Sequence, residues 1–154
     1  MTNYIEKTLA PDGCSGDEML FWNFPAEASE SFFLHEEASP IVYDLEERTS
    51  RFGEQIIHFA KKITWNPVNN RLIDQLVGAG TCVGANYCEA DDGISRPDFR
   101  HRISICRKEA RETKFFLRMV STAEPSLKSD ARELWKEAHA LHLIFCKIWR
   151  STKP

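Results

Sequence analysis

The 154-residue sequence contains no apolar run approaching the roughly 20 residues that span a bilayer. No basic segment leads into an apolar stretch, so we expect no secretory signal, no membrane partner and a cytoplasmic location. The five cysteines are odd in number and no secretion signal accompanies them, so we expect reduced thiols. They form no Cys-x-x-Cys pair, which argues against structural zinc. Phosphate-binding loops, dinucleotide-binding glycine motifs and serine-hydrolase elbows are also missing. We therefore expect no catalytic residue, no cofactor and no small-molecule substrate.

The residues that are present are those of an ordinary globular protein, with 42% hydrophobic and 28% charged side chains. The net charge of −3 is unevenly distributed. Residues 1–41 hold eight acids and one base, a charge of −7, whereas residues 42–154 hold 15 acids and 19 bases, a charge of +4. We predict an acidic, flexible N-terminal arm over 1–41, a folded body over 42–150 and a tail over 151–154. The arm's clustered aromatic residues leave open a docking segment or one that packs on the body.

The body is expected to be all-α. From Asp44 onward, apolar residues recur at alternating steps of four and three, the period of a helix with a buried seam. Breaks at Asn66-Pro67, Gly93–Pro97 and Pro125-Ser126 separate four such segments. Short connections favour antiparallel neighbours, so the pattern predicts an up-down-up-down four-helix bundle. The predicted core positions are Leu45, Thr49, Phe52, Ile56, Phe59 and Ile63; Leu72, Leu76, Ala79, Val83, Asn86 and Ala90; Phe99, Ile103, Cys106, Ala110, Thr113, Leu117 and Val120; and Ala131, Leu134, Ala138, Leu141, Phe145 and Ile148.

The second helix, expected from Asn69 or Asn70 to Asp92, carries several glycines in its interior. Each one costs roughly 0.5–1 kcal/mol relative to alanine in a helix. Two interpretations stay open: close packing within the bundle, or close contact with another subunit or a ligand. The glycines are Gly78, Gly80 and Gly84.

A second apolar row on the fourth helix, spaced at sevens, predicts self-association. A bundle that stays monomeric needs one buried stripe per helix, and large exposed rings would form an adhesive patch. The expected interface residues are Tyr87 of the second helix with Trp135, His142 and Trp149 of the fourth. The alternative is that the two tryptophans lie at the edges of a single bundle.

The third helix carries a basic stripe. At about 100° per residue, five of its cations fall within a band of roughly 60°. Such a stripe binds phosphates or pairs with carboxylates of neighbouring helices. The predicted nucleic-acid-binding residues are Arg100, Arg107, Arg111, Lys114 and Arg118. No aromatic-interleaved recognition motif is evident beside them.

Metal chemistry is the most remote interpretation. His139, His142 and Cys146 share one side of the fourth helix and would suit a small metal-dependent enzyme. Residues of this kind more often fill a core or its edge, and we assign no metal site.

Four segments, 43–63, 70–92, 98–119 and 133–145, resemble the bacterial four-helix bundle proteins related to those encoded in 23S ribosomal RNA intervening sequences. The most specific segment is GANYCEA, whose family-signature positions are Gly84, Ala85, Asn86 and Glu89. The resemblance implies a homo-oligomer, specifically a pentameric barrel, without established catalysis. It also implies, by analogy with a relative that serves a reverse transcriptase, an RNA, DNA or nucleic-acid-enzyme partner.

Residues and resemblance together predict a non-enzymatic oligomeric scaffold that binds a protein or RNA. The alternative is a nucleic-acid-binding module that acts through the basic stripe.

Overall fold

The computed structural model describes residues 20–24 and 44–152 of the chain. The expected arm over 1–41 and tail over 151–154 lie largely outside the described residues, and both stay predictions. Residues 20–24, taken by themselves, form one helical turn that ends at Asn23, whose φ is 56°. Asparagine is among the few residues that tolerate this left-handed conformation.

Residues 44–152 form an all-α four-helix bundle, as predicted, without a strand in that range. The elements are α1 (Leu45–Ala60), α2 (Pro67–Asp91), α3 (Arg96–Ala123), a 3-10 turn (Pro125–Leu127) and α4 (Lys128–Ser151). Each helix packs against the next in the chain, and α1 also packs against α4, which closes the bundle.

Contacts between helix ends define the antiparallel order. Near the start of α2, Asn69 donates to the Glu124 carboxylate just after α3, at 2.7 Å. Just after the end of α1, the Lys62 ammonium lies 2.8 Å from the Asp130 carboxylate near the start of α4. The chain therefore runs up, down, up and down.

The helices begin where side chains satisfy their first backbone N–H groups. Asp44 accepts from the N–H of Glu47 at 3.0 Å, and Ser95 accepts from that of Asp98 at 3.3 Å. Asn66 does the same for α2, with Pro67 as the first helical residue. The predicted start of α2 at Asn69 or Asn70 was therefore wrong: proline suits the first turn, where its missing N–H is not needed.

The core follows the predicted seams. All six predicted seam positions of the first segment are buried, as are most of those of α2, α3 and α4. The first helix is shorter than predicted, because α1 ends at Ala60 and Ile63 is buried from the connection that follows. Leu72, Asn86, Phe99, Leu134 and Ile148 are the exceptions, and each is half-buried. Among the described residues, no helix combines the length and apolarity needed to cross a membrane.

Two of the three glycines within α2 are explained by packing within the bundle. A Cβ on Gly80 would lie 2.8 Å from Ile56 side-chain carbons of α1, and one on Gly84 would lie 3.4 Å from the Thr49 backbone. The absence of a side chain lets α1 and α2 approach closely at these points. Gly78 faces open space, and nothing within the bundle requires it.

Candidate nucleic-acid interface

The basic stripe of α3 lies beside α4, but its members have different environments. Arg111 is exposed, while Arg100, Arg107 and Arg118 are half-buried. Lys114 is buried. The stripe is therefore not one uniform cationic surface.

Arg100 has a structural role at the end of α4. Its guanidinium donates to the carbonyl of Trp149 at 3.2 Å and to that of Thr152, two groups that lack helical partners at a C-terminus. Its Cζ also lies 4.0 Å from the centroid of the Trp149 ring. A cation at a helix C-terminus is also favoured by the helix dipole. Arg100 therefore holds α3 and α4 together.

Lys114 was wrongly predicted to be a surface residue of the basic stripe. Its side chain is only 3% exposed, and its ammonium lies 3.3 Å from Nδ1 of His139 and 4.6 Å from the centroid of the Trp135 ring. Within the angular band, Lys114 is the cation nearest the apolar seam, four residues after Ala110 and three before Leu117. It therefore points between α3 and α4 and is not a surface phosphate ligand.

His139 is held neutral within this contact. Its ring stacks on that of Trp135 at 5.3 Å, with the planes 7° apart. Burial, with the charge of Lys114 and the neighbouring His142 as lesser causes, lowers the pKa of His139 to about 3. Because an ammonium can only donate, Nδ1 of His139 accepts from Lys114.

The contact of Trp135 with His139 and Lys114 shows that the predicted oligomer interface was wrong at Trp135. Trp135 has no exposed surface in a single chain, so it does not belong to an exposed row. The other three predicted interface residues are half-buried. Tyr87 lies 5.8 Å from Phe145, ring to ring, and the Trp149 ring is contacted by Arg100 and Arg107. The alternative of bundle-edge tryptophans thus describes Trp149.

His142 lies where the positive charges converge. Burial is the main cause that lowers its pKa to about 4, and the charges of four cations add to it. Those cations are Lys114, Arg107, Arg111 and Arg150. An imidazole surrounded in this way marks a region of positive potential between α3 and α4.

Three of these four cations, two on α3 and one on α4, define what we call the basic face: Arg107, Arg111 and Arg150. None of the three forms an ion pair with a carboxylate of residues 20–24 or 44–152. The Arg107 guanidinium instead lies 4.6 Å from the centroid of the Trp149 ring. Arg118 lies farther along the same side of α3.

The candidate metal ligands do not assemble into a site. His139 is hydrogen-bonded to Lys114, while Nε2 of His142 lies 3.6 Å from Sγ of Cys146. Within the described part of the chain, no group of three or more histidine, cysteine or acidic side chains is placed to hold a metal ion.

The family-signature residues take structural positions on α2. Asn86 donates to the Cys82 carbonyl one turn earlier, at 2.9 Å, and Glu89 forms an ion pair with Arg102 of α3. Gly84 allows the close approach of α1. Ala85 is exposed, without a packing role in the bundle.

One residue beside the basic face was missed in the sequence. Phe115 is 54% exposed, four residues after Arg111 and three before Arg118, so an aromatic ring does lie among these cations. The helical period could have identified it: at about 100° per residue, Phe115 lies about 40° around the helix from Arg111, on the side away from the buried seam.

The architecture defines the class of protein: an antiparallel all-α four-helix bundle with a basic face between its last two helices. A solved structure with this fold is a protein of unknown function from the S23 ribosomal protein family of Bacteroides thetaiotaomicron. The two share 24% identity and a TM-score of 0.61 over 69% of this chain and 98% of the other. At that identity the likeness establishes the fold alone. No protein-family model matches the sequence, and no curated protein is significantly similar to it.

Proposed function

We propose that this bundle is a non-enzymatic binding protein whose basic face binds the phosphate backbone of RNA. The proposal is carried by one observation: Arg107, Arg111 and Arg150 lie close to one half-buried histidine and have no carboxylate partner among the described residues. By contrast, Arg48 and Lys62 each form an ion pair with a carboxylate of α4. Guanidinium groups match phosphate geometry, and phosphate contacts supply most sequence-independent affinity.

The test is a salt titration of RNA binding by fluorescence anisotropy. The triple variant Arg107→Gln, Arg111→Gln and Arg150→Gln should bind more weakly than the parent. Each phosphate contact contributes about 0.7 to the slope of log affinity against log salt for a single strand, so the slope should fall by about 2.

A second triple variant controls for net charge. Arg51→Gln, Lys61→Gln and Arg71→Gln remove the same three charges from exposed positions on or beside α1 and α2. This variant should retain the parental slope. Equal losses in the two triples, or no binding by the parent at low salt, would contradict the proposal.

Self-association is a second proposal, and a homopentamer is the form that the family resemblance implies. Two apolar side chains at the α1–α2 end of the bundle favour it: Trp65 is 81% exposed and Val68 is 67% exposed. Neighbouring apolar groups of this size on a soluble surface are typical of protein contacts.

Light scattering at micromolar concentration tests this second proposal. We expect a mass that is a multiple of 17.7 kDa, five times that value for a pentamer. The variant Trp65→Ser with Val68→Ser should lower the mass, whereas Ile94→Ser, an exposed apolar residue near the other end of the bundle, should not. A parental mass of one chain excludes self-association.

A further inference from the structure

Phe115 is placed unlike any other large apolar side chain of α3. Of the 28 residues of α3, Phe115 is the one large apolar residue whose side chain is mostly exposed, at 54%. The buried side chains of α3, such as Ile103 and Leu117, lie on the opposite side of the helix. An exposed phenyl ring loses much of the stabilisation that burial would provide, roughly 1.5–3 kcal/mol for a fully buried side chain. Packing of the bundle core does not account for its exposed position.

The ring is held by an aromatic neighbour. Phe116, which is half-buried, meets Phe115 edge to face, with the centroids 5.2 Å apart and the planes 80° apart. Such a contact restricts the rotation of Phe115 and still leaves over half of its surface exposed. A partly fixed, flat, exposed ring is suited to stacking.

The charges around Phe115 are arranged asymmetrically. Lys108 and Arg111 are exposed on its N-terminal side, and Arg111 is one turn away, about 6 Å along the helix axis. The acids Glu109 and Glu112 lie on the side of α3 toward α2, where their charges raise the pKa of the Cys82 thiol, secondary to its burial. A polyanion that contacts Phe115 is therefore favoured on the α4 side, along the basic face.

We infer that the basic face binds single-stranded nucleic acid in preference to duplex, with an unpaired base stacked on Phe115 and the adjoining phosphate held by Arg111. This inference rests on the proposed function. In a duplex the base faces are covered by their neighbours, so a surface ring gains nothing from them. A single strand exposes both phosphates and base faces, and alternation of cations with aromatic rings is the arrangement that binds it.

The experiment compares three probes of equal length with the full chain: an oligouridine RNA, the corresponding single-stranded DNA and an RNA duplex. Anisotropy is measured at one low salt concentration. The parent should bind both single strands more tightly than the duplex, since stacking and phosphate contacts are common to RNA and DNA. Equal or tighter binding of the duplex would overturn the inference while leaving phosphate binding intact.

Variants at Phe115 and Arg111 separate stacking from charge. Phe115→Leu keeps an apolar side chain and should weaken single-strand binding about tenfold, with duplex binding and the salt slope unchanged. Phe115→Tyr, which keeps the ring, should retain parental affinity. Arg111→Gln should weaken binding of both single strand and duplex.

Two results would overturn the inference at the level of Phe115. One is an equal effect of Phe115→Leu on all three probes. The other is a changed mass of Phe115→Leu in light scattering with unchanged single-strand binding, which would make Phe115 a contact between copies. If the parent binds none of the probes, the proposed function itself is wrong. That outcome differs from the two results at Phe115, in both of which the parent still binds nucleic acid.

Discussion

Helix α4 is held to its two neighbours by different chemistry. Toward α1, charges meet opposite charges: Arg48 binds the Glu137 carboxylate through two hydrogen bonds of 2.7 and 3.0 Å. Toward α3, cations meet aromatic rings, a neutral imidazole and backbone carbonyls, as Lys114 and Arg100 do. Charge is neutralised on the α1 side, whereas on the α3 side Arg107 and Arg111 have no carboxylate partner among the described residues. The second contact can therefore both stabilise the bundle and attract an anion.

The largest expected effect lies in the α3–α4 contact. Trp135→Ala removes a fully buried ring together with the surface on which His139 and Lys114 rest, so it should lower the free energy of unfolding by about 3–5 kcal/mol. Trp149→Ala, at a half-buried position, should cost less. Urea denaturation measures both.

The concentration dependence of that loss tests the location of Trp135. Because the ring is buried within one chain, the loss should be the same at low and high protein concentration. A loss that appears only at concentrations where copies associate would instead place Trp135 between subunits, as the sequence pattern suggested.

Acid should weaken the α3–α4 contact selectively. The folded-state pKa values of His139 and His142 are lowered to about 3 and about 4, so below pH 6.5 the unfolded chain binds more protons than the folded one. Stability therefore falls as the pH drops from 7 to 5, by up to about 2 kcal/mol per histidine. Urea midpoints at the two pH values measure the fall.

Histidine variants isolate this contribution from that of other titrating groups. His139→Gln with His142→Gln should flatten the dependence between pH 7 and 5, whereas His58→Gln, at an exposed position on α1, should leave it unchanged. An undiminished slope in the double variant would show that these two imidazoles titrate alike in the folded and unfolded chains.

The contact between α1 and α2 can be tested in the same way, through the stability of glycine variants in α2. Gly80→Ala places a methyl group 2.8 Å from Ile56 and should destabilise the bundle by about 1–3 kcal/mol. Gly78→Ala meets nothing within 4 Å and should stabilise it by roughly 0.5–1 kcal/mol. Thermal denaturation of the matched pair checks both signs. Destabilisation by Gly78→Ala would indicate that another chain approaches this position.

The sequence was sufficient for the fold because seam residues repeat many times, and one irregular position does not disturb the pattern. It was insufficient for residues at the edge of a seam. Lys114 and Arg111 differ by only about 60° around α3, yet one is buried and the other exposed. Which edge residue is covered depends on the register of α4 against α3, and that register places Trp135 beside Lys114. The period of a single helix contains no such information.

The smallest expected effects are the coupling energies of the two kinds of cation contact, an ion pair on the α1 side of α4 and a cation over a ring on its α3 side. A double-mutant cycle with Arg48→Gln and Glu137→Gln should give a coupling energy of about 0.5–1 kcal/mol, since the pair is bidentate and partly buried. A cycle with Arg107→Gln and Trp149→Leu should give a similar value, because a partly exposed cation over an aromatic ring is worth about as much.

Salt distinguishes the two couplings. At about 1 M salt the Debye length falls to about 3 Å, so the Arg48–Glu137 coupling should shrink. The Arg107–Trp149 coupling includes dispersion between a planar guanidinium and a ring, which salt does not screen, and should be largely retained. Equal salt sensitivity would mean that the Arg107–Trp149 coupling is electrostatic, without the dispersion contribution expected of a guanidinium over a ring.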